Sequence, residues 1–332
     1  MHNIVLGLVS TIIPVYNRTG MIGASVQSVL DQTYRPIEII LVDDGSTDDT
    51  LAELNRLAES YPEIIRVAHR ENGGPGLARE AGRLLAKGEF IQYLDSDDLL
   101  LPRKFEVQVA ALREHPECGI AYGRSGVIDK DGKQLRDYNK WTSKKYEFLF
   151  PALLVDRWWN THTPLYRKSL CDRIGPWPQQ RPEDWDYDAR AGALKTRLVY
   201  CDELVSHQRQ HAGPCVSSSS WEQYLPQEAW FLPRLYDCAV QAGVSPDAPE
   251  MQHFVRWAFS LSRRMAAMGL KDQASELLDL ATKARGKQTA GMRAMRWGAN
   301  TIGWRGIGKL CLLAGRLGLR GSRKKTMALS WK

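Results

Sequence analysis

Short apolar runs alternate with amphipathic segments over the N-terminal third of the chain. Four of these runs are rich in β-branched side chains, as buried strands are. They cover residues 9–15, 37–42, 64–68 and 90–94. Between the runs, apolar side chains recur at helical spacing, for example at Ile22, Val26 and Val29. The alternation predicts an α/β fold with a mostly parallel sheet, flanked by helices and joined by right-handed crossovers.

Polar and acidic residues follow the predicted strands. Residues 14–17 follow the first strand, 43–46 the second and 95–98 the fourth. Ligands bind in the crevice at the carboxyl ends of parallel strands, so we expect these residues to converge there. Carboxylates crowded together repel one another unless a cation lies between them, and Asp oxygens suit Mg²⁺ or Mn²⁺. The alternative interpretation is a pair of Asp-rich turns, with Asp98 as a helix cap.

Glycines at positions 73, 74 and 76 open the helix that follows the third predicted strand. They do not have the GxGxxG spacing and do not follow the first strand, which argues against a dinucleotide-binding fingerprint. The Gly-Lys-Ser or Gly-Lys-Thr ending of a phosphate loop does not occur either. A flexible turn explains the glycines. Arg79 on the same helix is the functional candidate, because its guanidinium can hold a phosphate or one of the crevice aspartates.

Four motifs, taken in their order and spacing, resemble those of the family 2 glycosyltransferases. They are residues 11–17, 42–48, 72–79 and 93–98, and the likeness resumes at residues 181–186. The resemblance extends over about residues 4–215 and implies the GT-A fold, which has a Rossmann-like sheet. It also implies an inverting transferase of the hexosyltransferase type that uses a nucleotide-diphosphate sugar and Mn²⁺ or Mg²⁺. The expected donor is a UDP-sugar, and the expected acceptor is a hydroxyl of a glycan or lipid-linked saccharide, as in polysaccharide biosynthesis at the cell envelope.

The resemblance implies a role for each residue that matches a motif. The nucleotide-binding residues are Pro14, Tyr16, Asp43, Asp44, Arg79 and Asp95. The metal-binding residues are Asp97, Asp95 and His211, with Asp97 as the direct ligand. Glu183 orients the acceptor, Asp184 is the general base, and Arg209 contacts the diphosphate.

The chemistry of sugar transfer needs residues of these types. The leaving diphosphate must be neutralised by a metal and a cation, and the acceptor hydroxyl must lose its proton to a placed carboxylate. Asp184 fits the second role, since a helix-like segment follows it over residues 185–194. A helix N-cap is the alternative for Asp184, and the two roles do not exclude each other. The alternatives for Arg209 and His211 are a surface cation and an ordinary loop histidine.

Trp and Tyr residues are frequent between positions 125 and 180. Sugars stack on aromatic faces, so this region is a candidate acceptor site, with core packing as the alternative. From Trp221 onward the apolar pattern is helical and predicts two or three packed helices. We therefore divide the chain into a catalytic domain over residues 1–220, a helical extension over 221–285 and a basic amphipathic tail over 286–332.

The composition is that of an ordinary globular protein, with 43% hydrophobic and 25% charged residues. No apolar run has the length of a membrane-spanning helix, and the apolar N-terminal stretch lacks the marks of a signal peptide. The six cysteines have no metal-ligand spacing. We therefore expect a cytoplasmic protein with free thiols.

The net charge of +7 is concentrated at the C-terminal end. Residues 283–332 contain 13 Lys and Arg and no Asp or Glu, interspersed with Trp297, Trp304 and several leucines. This pattern is typical of a membrane-surface element, with a solvated tail as the alternative. We expect residues 286–332 to contact the inner face of the membrane peripherally. No nucleic-acid motif accompanies the basic residues, so no nucleic-acid partner is expected.

Two other classes of function stay open on the sequence. A nucleotidyltransferase also combines an α/β sheet with acidic metal sites, and its reaction releases pyrophosphate. A non-catalytic sugar-nucleotide or glycan-binding protein binds UDP with a metal but gives no turnover. Sugar transfer with release of free UDP distinguishes the glycosyltransferase from both.

Overall fold

The computed structural model describes residues 4–136, 142–210 and 221–316 of the chain. The chain forms two compact units. The first comprises residues 1–149 and 156–211, and the second comprises residues 150–155 and 212–332. The functional division into a catalytic domain, a helical extension and a basic tail stays a prediction.

The first unit alternates strands and helices along most of its length. Its strands are β1 (Val5–Val15), β2 (Ile37–Asp43), β3 (Ile65–His69), β4 (Gly88–Tyr93), β5 (Leu99–Leu100), β6 (Cys118–Ile128), β7 (Gln134–Arg136), β8 (Leu165–Arg167) and β9 (Arg197–Arg209). Its helices are α1 (Ile22–Leu30), α2 (Thr50–Ser60), α3 (Pro75–Leu85), α4 (Lys104–Glu114), α5 (Lys168–Ile174) and α6 (Glu183–Ala193). The strands and helices predicted over the first hundred residues are therefore present.

One sheet runs through the first unit, in the strand order β3-β2-β1-β4-β8-β6-β9-β5, with β7 paired to β6. Strands β1 to β4 are mutually parallel, whereas β8 lies antiparallel between β4 and β6. Strand β6 is again parallel to β9. The predicted α/β fold of the GT-A type is confirmed, with antiparallel pairs confined to the second half of the sheet.

The carboxyl ends of β1, β2 and β4 lie side by side, because these strands pair in parallel. Val15 at the end of β1 is opposite Asp43 at the end of β2, and Ile12 is opposite Tyr93. The β-branched residues of these strands are buried: Val9, Ile13 and Ile39 are fully inaccessible and form the core with α1 and α4. Burial of the strands on both faces explains their continuous apolar sequence. The acidic motifs follow the carboxyl ends of the parallel strands β2 and β4, so they meet at one edge of the sheet.

The second unit is helical. It contains a short 3₁₀ turn at Ala152–Leu154 and the helices α7 (Trp221–Ala242), α8 (Pro249–Met268), α9 (Lys271–Arg285) and α10 (Ala290–Arg316). Gly269 ends α8 in the left-handed conformation, which allows α9 to fold back against α8. Helix α10 is interrupted at Gly303, whose φ of 78° is not helical. The predicted C-terminal helices are confirmed.

Among the described residues, no helix is both long enough and apolar enough to cross a bilayer. Among the described residues, Cys118, Cys171, Cys201 and Cys311 are free thiols.

Candidate active site

Asp44, at the end of β2, holds the glycine-rich turn that starts α3. Its carboxylate accepts hydrogen bonds from the backbone N–H groups of Gly73 at 3.1 Å and Gly74 at 2.7 Å, and it pairs with Arg70. Gly74 has a φ of 91°, which favours glycine at this position. Whereas Asp43 accepts a hydrogen bond from the backbone N–H of Ser46 within its own turn, Asp44 fixes a turn that is distant in sequence. The sequence interpretation did not identify Arg70 as its partner.

Asp43 and the end of β1 form the rest of the expected nucleotide group. Asp43 lies 2.7 Å from Nδ1 of His69 on β3 and is fully buried. Pro14 is buried in β1, whereas Tyr16 just beyond the strand is exposed. An exposed ring next to a row of carboxylates is a suitable face on which a base can stack.

Arg79, buried on α3, joins two parts of the predicted site. It donates hydrogen bonds to Asp95 Oδ1 at 2.7 Å and to Glu183 Oε1 at 2.8 Å, and its guanidinium lies 4.9 Å from the ring centroid of Trp177. Burial lowers the pKa of Arg79, but Asp95 and Glu183 outweigh burial and raise it. Burial also disfavours the charged form of Asp95, yet Arg79 holds the Asp95 pKa below its ordinary value. Arg79 therefore stabilises both carboxylates, and they keep it charged.

Helix α6 presents the acidic pair. Pro182 occupies its N-cap position and Glu183 is its first residue, so Asp184 lies inside the first turn and is not the N-cap. Acidic side chains in a first turn are favoured by the helix dipole. The Asp184 side chain is 27% exposed, and its Oδ2 accepts a hydrogen bond from Arg157 Nη1 at 2.8 Å. Arg157 was not identified from the sequence.

Asp97, the expected metal ligand, lies at the partly exposed end of the acidic motif. Its Oδ2 is 3.6 Å from Nη2 of Arg18, which follows β1. The pair links the residue just after the first of the four motifs to the last motif. At 3.6 Å the contact is longer than a hydrogen bond, and 18% of the Asp97 side chain is exposed.

Asp98 connects three segments behind the acidic motif. Its Oδ1 accepts a hydrogen bond from the backbone N–H of Arg209 at 2.8 Å, and its Oδ2 lies 2.6 Å from His162 Nδ1. His162 is fully buried, and its Nε2 is 3.2 Å from Ser125 Oγ. Burial raises the Asp98 pKa, although His162 opposes the rise. Asp98 is thus a buried support, and the helix-cap interpretation of this residue is wrong.

A group with the ligand chemistry of a divalent cation exists at this place. Ligand atoms from Asp95, Asp98 and His162, one from each residue, lie within 4.8 Å of one another, and His162 Nδ1 already pairs with Asp98. Two carboxylates and an imidazole suit Mn²⁺ or Mg²⁺ better than a soft metal. Asp95 belongs both to this group and to the set of metal ligands expected from the sequence, which also contains Asp97 and His211. His211, expected as a further ligand, lies outside the described residues.

Arg209 is placed at the carboxyl end of β9, where Asp98 fixes its backbone. Its Nε atom is buried and has no hydrogen-bond partner within the described part of the chain. A buried guanidinium nitrogen without a partner is costly unless a ligand satisfies it. This position suits an anion that the protein alone does not supply.

The aromatic residues of the central region are mostly core. Trp158, Trp159, Tyr166 and Trp177 are each no more than 3% exposed. Trp177 stacks on Tyr187 of α6, with ring centroids 4.1 Å apart. Their packing holds α6 in place, and little of their ring surface is left for stacking with a sugar. Trp141 lies outside the described residues.

Comparisons with known proteins show what the chain is similar to. Residues 10–173 match the model of the family described as glycosyl transferase family 2. An uncharacterized glycosyltransferase of Haemophilus influenzae is 34% identical over 203 residues, which are 61% of this chain and 79% of that protein. One of Rickettsia felis is 43% identical over 206 residues, which are 61% of this chain but only 34% of that protein. The chain thus spans about a third of this longer relative.

Solved structures share the fold. The crystal structure of S. aureus TarS 1-349 in complex with UDP-GlcNAc superimposes with a TM-score of 0.66. The match covers 93% of this chain and 92% of that one at 20% sequence identity.

Proposed function

Because the chain belongs to glycosyl transferase family 2 and is a glycosyltransferase, we propose that it moves a sugar from a UDP-sugar to a hydroxyl of a glycan or lipid-linked acceptor. The observation that carries the proposal is the Arg79 bridge, which joins Asp95 of the acidic motif to Glu183 of the acidic pair. It brings the end of β4, where the diphosphate of the donor is expected, next to the helix that carries Asp184. Donor and base then act on one reaction centre.

The donor contacts follow from the ends of β1 and β2. Tyr16 offers an exposed ring, and Asp43 and Asp44 lie beside it with β2 in register to β1. We infer that Pro14, Tyr16, Asp43 and Asp44 hold the base and ribose, with Arg79 and Asp95 closing the site. The bound UDP-GlcNAc in the TarS structure supports a uridine nucleotide as the expected donor.

A divalent cation is the expected cofactor, and the residues present fit one. We infer that Asp95 and Asp97 hold it, because both are partly exposed and a Mg²⁺ or Mn²⁺ ion in such a site keeps ligand positions for phosphate and water. Asp98 and His162 support the site from behind, since the full burial of His162 leaves no access for a diphosphate. The ion supplies charge neutralisation of the leaving group. Arg209 supplies a cation to this site, and the metal-binding role of His211 stays a prediction from the sequence.

Asp184 is the proposed general base. Its partly exposed carboxylate can accept the acceptor's proton, while Glu183, fixed by Arg79, orients the acceptor. Direct attack of the activated hydroxyl on the anomeric carbon inverts its configuration. The protein's contribution is to hold both substrates in line and to place opposite charge where the diphosphate leaves.

A donor panel tests the proposal. UDP- and GDP-sugars are incubated with Mn²⁺, Mg²⁺ or a chelator, with and without glycan and lipid-linked acceptors, and the released nucleotide is measured. We expect release of UDP that depends on both acceptor and cation. Release of pyrophosphate would identify a nucleotidyltransferase, and UDP binding without any turnover would identify a non-catalytic binding protein.

We also propose that the enzyme contacts a membrane surface peripherally through the basic C-terminal residues 286–332. Within the described part, α10 exposes Trp297, Leu310 and Leu313, and its cations Arg293 and Lys309 are exposed as well. Apolar side chains among cations suit the interface of an anionic leaflet. Such contact brings the enzyme to a lipid-linked acceptor.

A further inference from the structure

Arg157 donates hydrogen bonds to two carboxylates of helix α6. Its Nη1 donates to Asp184 Oδ2 at 2.8 Å, and its Nε donates to Asp188 Oδ2 at 2.7 Å. Asp184 and Asp188 are one helical turn apart on α6, so both face the segment that carries Arg157. The guanidinium is mostly buried, with 11% of the side chain exposed.

Asp188 is itself fixed. It is 1% exposed, and it accepts hydrogen bonds from Trp159 Nε1 at 2.8 Å and from the Tyr166 hydroxyl at 2.8 Å. With Arg157, three donors therefore occupy its two oxygens. A buried carboxylate satisfied in this way cannot rotate without losing charge-assisted hydrogen bonds. Asp188 is thus a rigid anchor on which the Arg157 guanidinium is oriented.

Asp184 differs from Asp188 because it is accessible. Its Oδ1 accepts a hydrogen bond from the backbone N–H of Trp185 at 2.8 Å, and its Oδ2 is held by Arg157. Each carboxylate oxygen has two acceptor sites, so one site on each remains for a substrate proton. Both contacts define the plane of the carboxylate. Without Arg157, Oδ2 loses this charge-assisted hydrogen bond, and the carboxylate can turn about its side-chain bonds.

We propose that Arg157, anchored by Asp188, is a positioning residue that holds Asp184 in the orientation in which it takes the proton of the acceptor hydroxyl. The inference rests on the proposed role of Asp184 as the base. Only a guanidinium can fulfil this positioning role, because one rigid fork must reach both carboxylates. The ammonium group of a lysine is a point charge and can pair with only one of them. The role is distinct from donor binding, which uses the ends of β1, β2 and β4.

The test compares Arg157→Ala and Arg157→Lys with Arg190→Ala. Arg190, on α6 itself, is the control: it donates to Asp186 Oδ2 at 2.8 Å and to the carbonyl oxygen of Ile174 at 2.6 Å, and neither contact involves Asp184. We expect Arg157→Ala to lower kcat for transfer about 100-fold, the size of effect seen when a reacting group is displaced by about 1 Å. Arg157→Lys should lose about 10-fold, because it keeps the charge without the fork. The UDP affinity and the donor KM should stay within about twofold in both.

Guanidinium ion added to Arg157→Ala should restore part of kcat, and it should restore none in Asp184→Asn. Full transfer activity of Arg157→Ala would overturn the proposal. An equal loss in Arg190→Ala, or a parallel loss of UDP affinity, would also overturn it, because the effect would then be general support of the helix.

Urea unfolding separates this inference from the proposed function. The midpoints of Arg157→Ala, Asp184→Asn and the double variant form a cycle that needs no activity. We expect the double variant to lose less than the sum of the two single losses, since both remove the same contact. If the wild-type enzyme transfers no sugar but the losses of stability are non-additive, the proposed function fails, whereas the contact by which Arg157 holds Asp184 stands. Additive losses would refute that contact in either case.

Discussion

At the scale of single residues, Arg79 carries the most connections in the site. Replacing it with Met keeps the bulk of the side chain but leaves Asp95 and Glu183 without their common partner. We expect the free energy of unfolding to fall by about 3 kcal/mol, the lower end for a broken buried pair, because about a third of the Asp95 side chain reaches solvent. Urea denaturation at neutral pH measures the change.

Arg103 provides the matched control for Arg79. It also faces two carboxylates, Glu106 and Glu203, but 61% of its side chain is exposed. Arg103→Met should therefore cost less than about 1 kcal/mol. A similar loss in the two variants would contradict the assignment of Arg79 as a buried bridge.

Lys104 gives the protein a pH dependence that the sequence did not indicate. Its buried Nζ donates to Gln108 Oε1 at 2.6 Å and to Thr163 O at 2.8 Å, both uncharged acceptors. Burial lowers its pKa in the folded protein well below 10.5. Between these two pKa values the unfolded chain binds more protons than the folded one, so stability rises with pH in this window.

Replacing Lys104 with Met removes this contribution to the pH dependence of stability. We expect the wild-type protein to gain stability relative to Lys104→Met when urea unfolding is measured first at neutral pH and then near pH 10, as the linkage relation requires. Lys87→Met, at an exposed position, is the control and should follow the wild-type slope. Parallel pH profiles of wild type and Lys104→Met would show that the buried lysine keeps its ordinary proton affinity.

At the scale of elements, the close approach of α3 to the segment before α6 sets the distance that Arg79 spans. Gly76 makes this approach possible: a Cβ at this position would lie 1.9 Å from the carbonyl oxygen of Pro178 and 3.3 Å from Cβ of Glu183. The contact is with backbone, which cannot move aside as a flexible side chain can. The glycine is therefore needed for the packing of α3 against this segment.

We expect Gly76→Ala to destabilise the protein by about 2 kcal/mol through overpacking, and to lower sugar transfer by displacing Glu183. Gly23→Ala on α1 is the control, since its nearest contact is Glu53 Oε1 at 3.8 Å. It should be neutral or stabilising by up to about 1 kcal/mol, because alanine is the better helix former. Thermal or urea unfolding of both variants measures the difference in stability. A Gly76→Ala protein as stable as Gly23→Ala would show that the α3 contact is looser than described.

The elements also show how far sequence reasoning reaches. The parallel strands β1 to β4 and the motifs at their ends were predicted, because continuous apolar runs and turn residues encode them locally. Strands β6, β8 and β9 were not, since their polarity is mixed and their pairing depends on distant segments. Arg157 and His162 were missed as partners of Asp184 and Asp98 for the same reason. Their contacts bridge segments far apart in sequence, and no local spacing records them.

At the scale of the whole molecule, charge is distributed unevenly between the two units. The acidic site residues lie in the first unit, whereas the exposed cations and apolar side chains of α10 lie in the second. Deleting residues 286–332 is a crude test of membrane contact, because Met292, Met295 and Ala299 of α10 are buried and their loss would disturb the helical unit. Substitution of exposed side chains is the cleaner choice.

We expect the triple variant Trp297→Ser, Leu310→Ser, Leu313→Ser to lose sedimentation with vesicles that contain anionic lipid, without change in thermal stability. The reason is the loss of apolar area that enters the interface, since the cations alone are screened by salt. Leu84→Ser, at another exposed position, should bind vesicles as the wild type does. Retained binding of the triple variant, or no binding by the wild type, would remove α10 as a membrane contact.

The most direct test of the central claim compares wild type and Asp184→Asn for acceptor-dependent release of UDP from a UDP-sugar, with UDP affinity measured on both. The account predicts a loss of transfer of about 10²- to 10⁴-fold, the contribution of a general base, with unchanged UDP affinity. An Asp184→Asn protein that transfers sugar at the wild-type rate would contradict it.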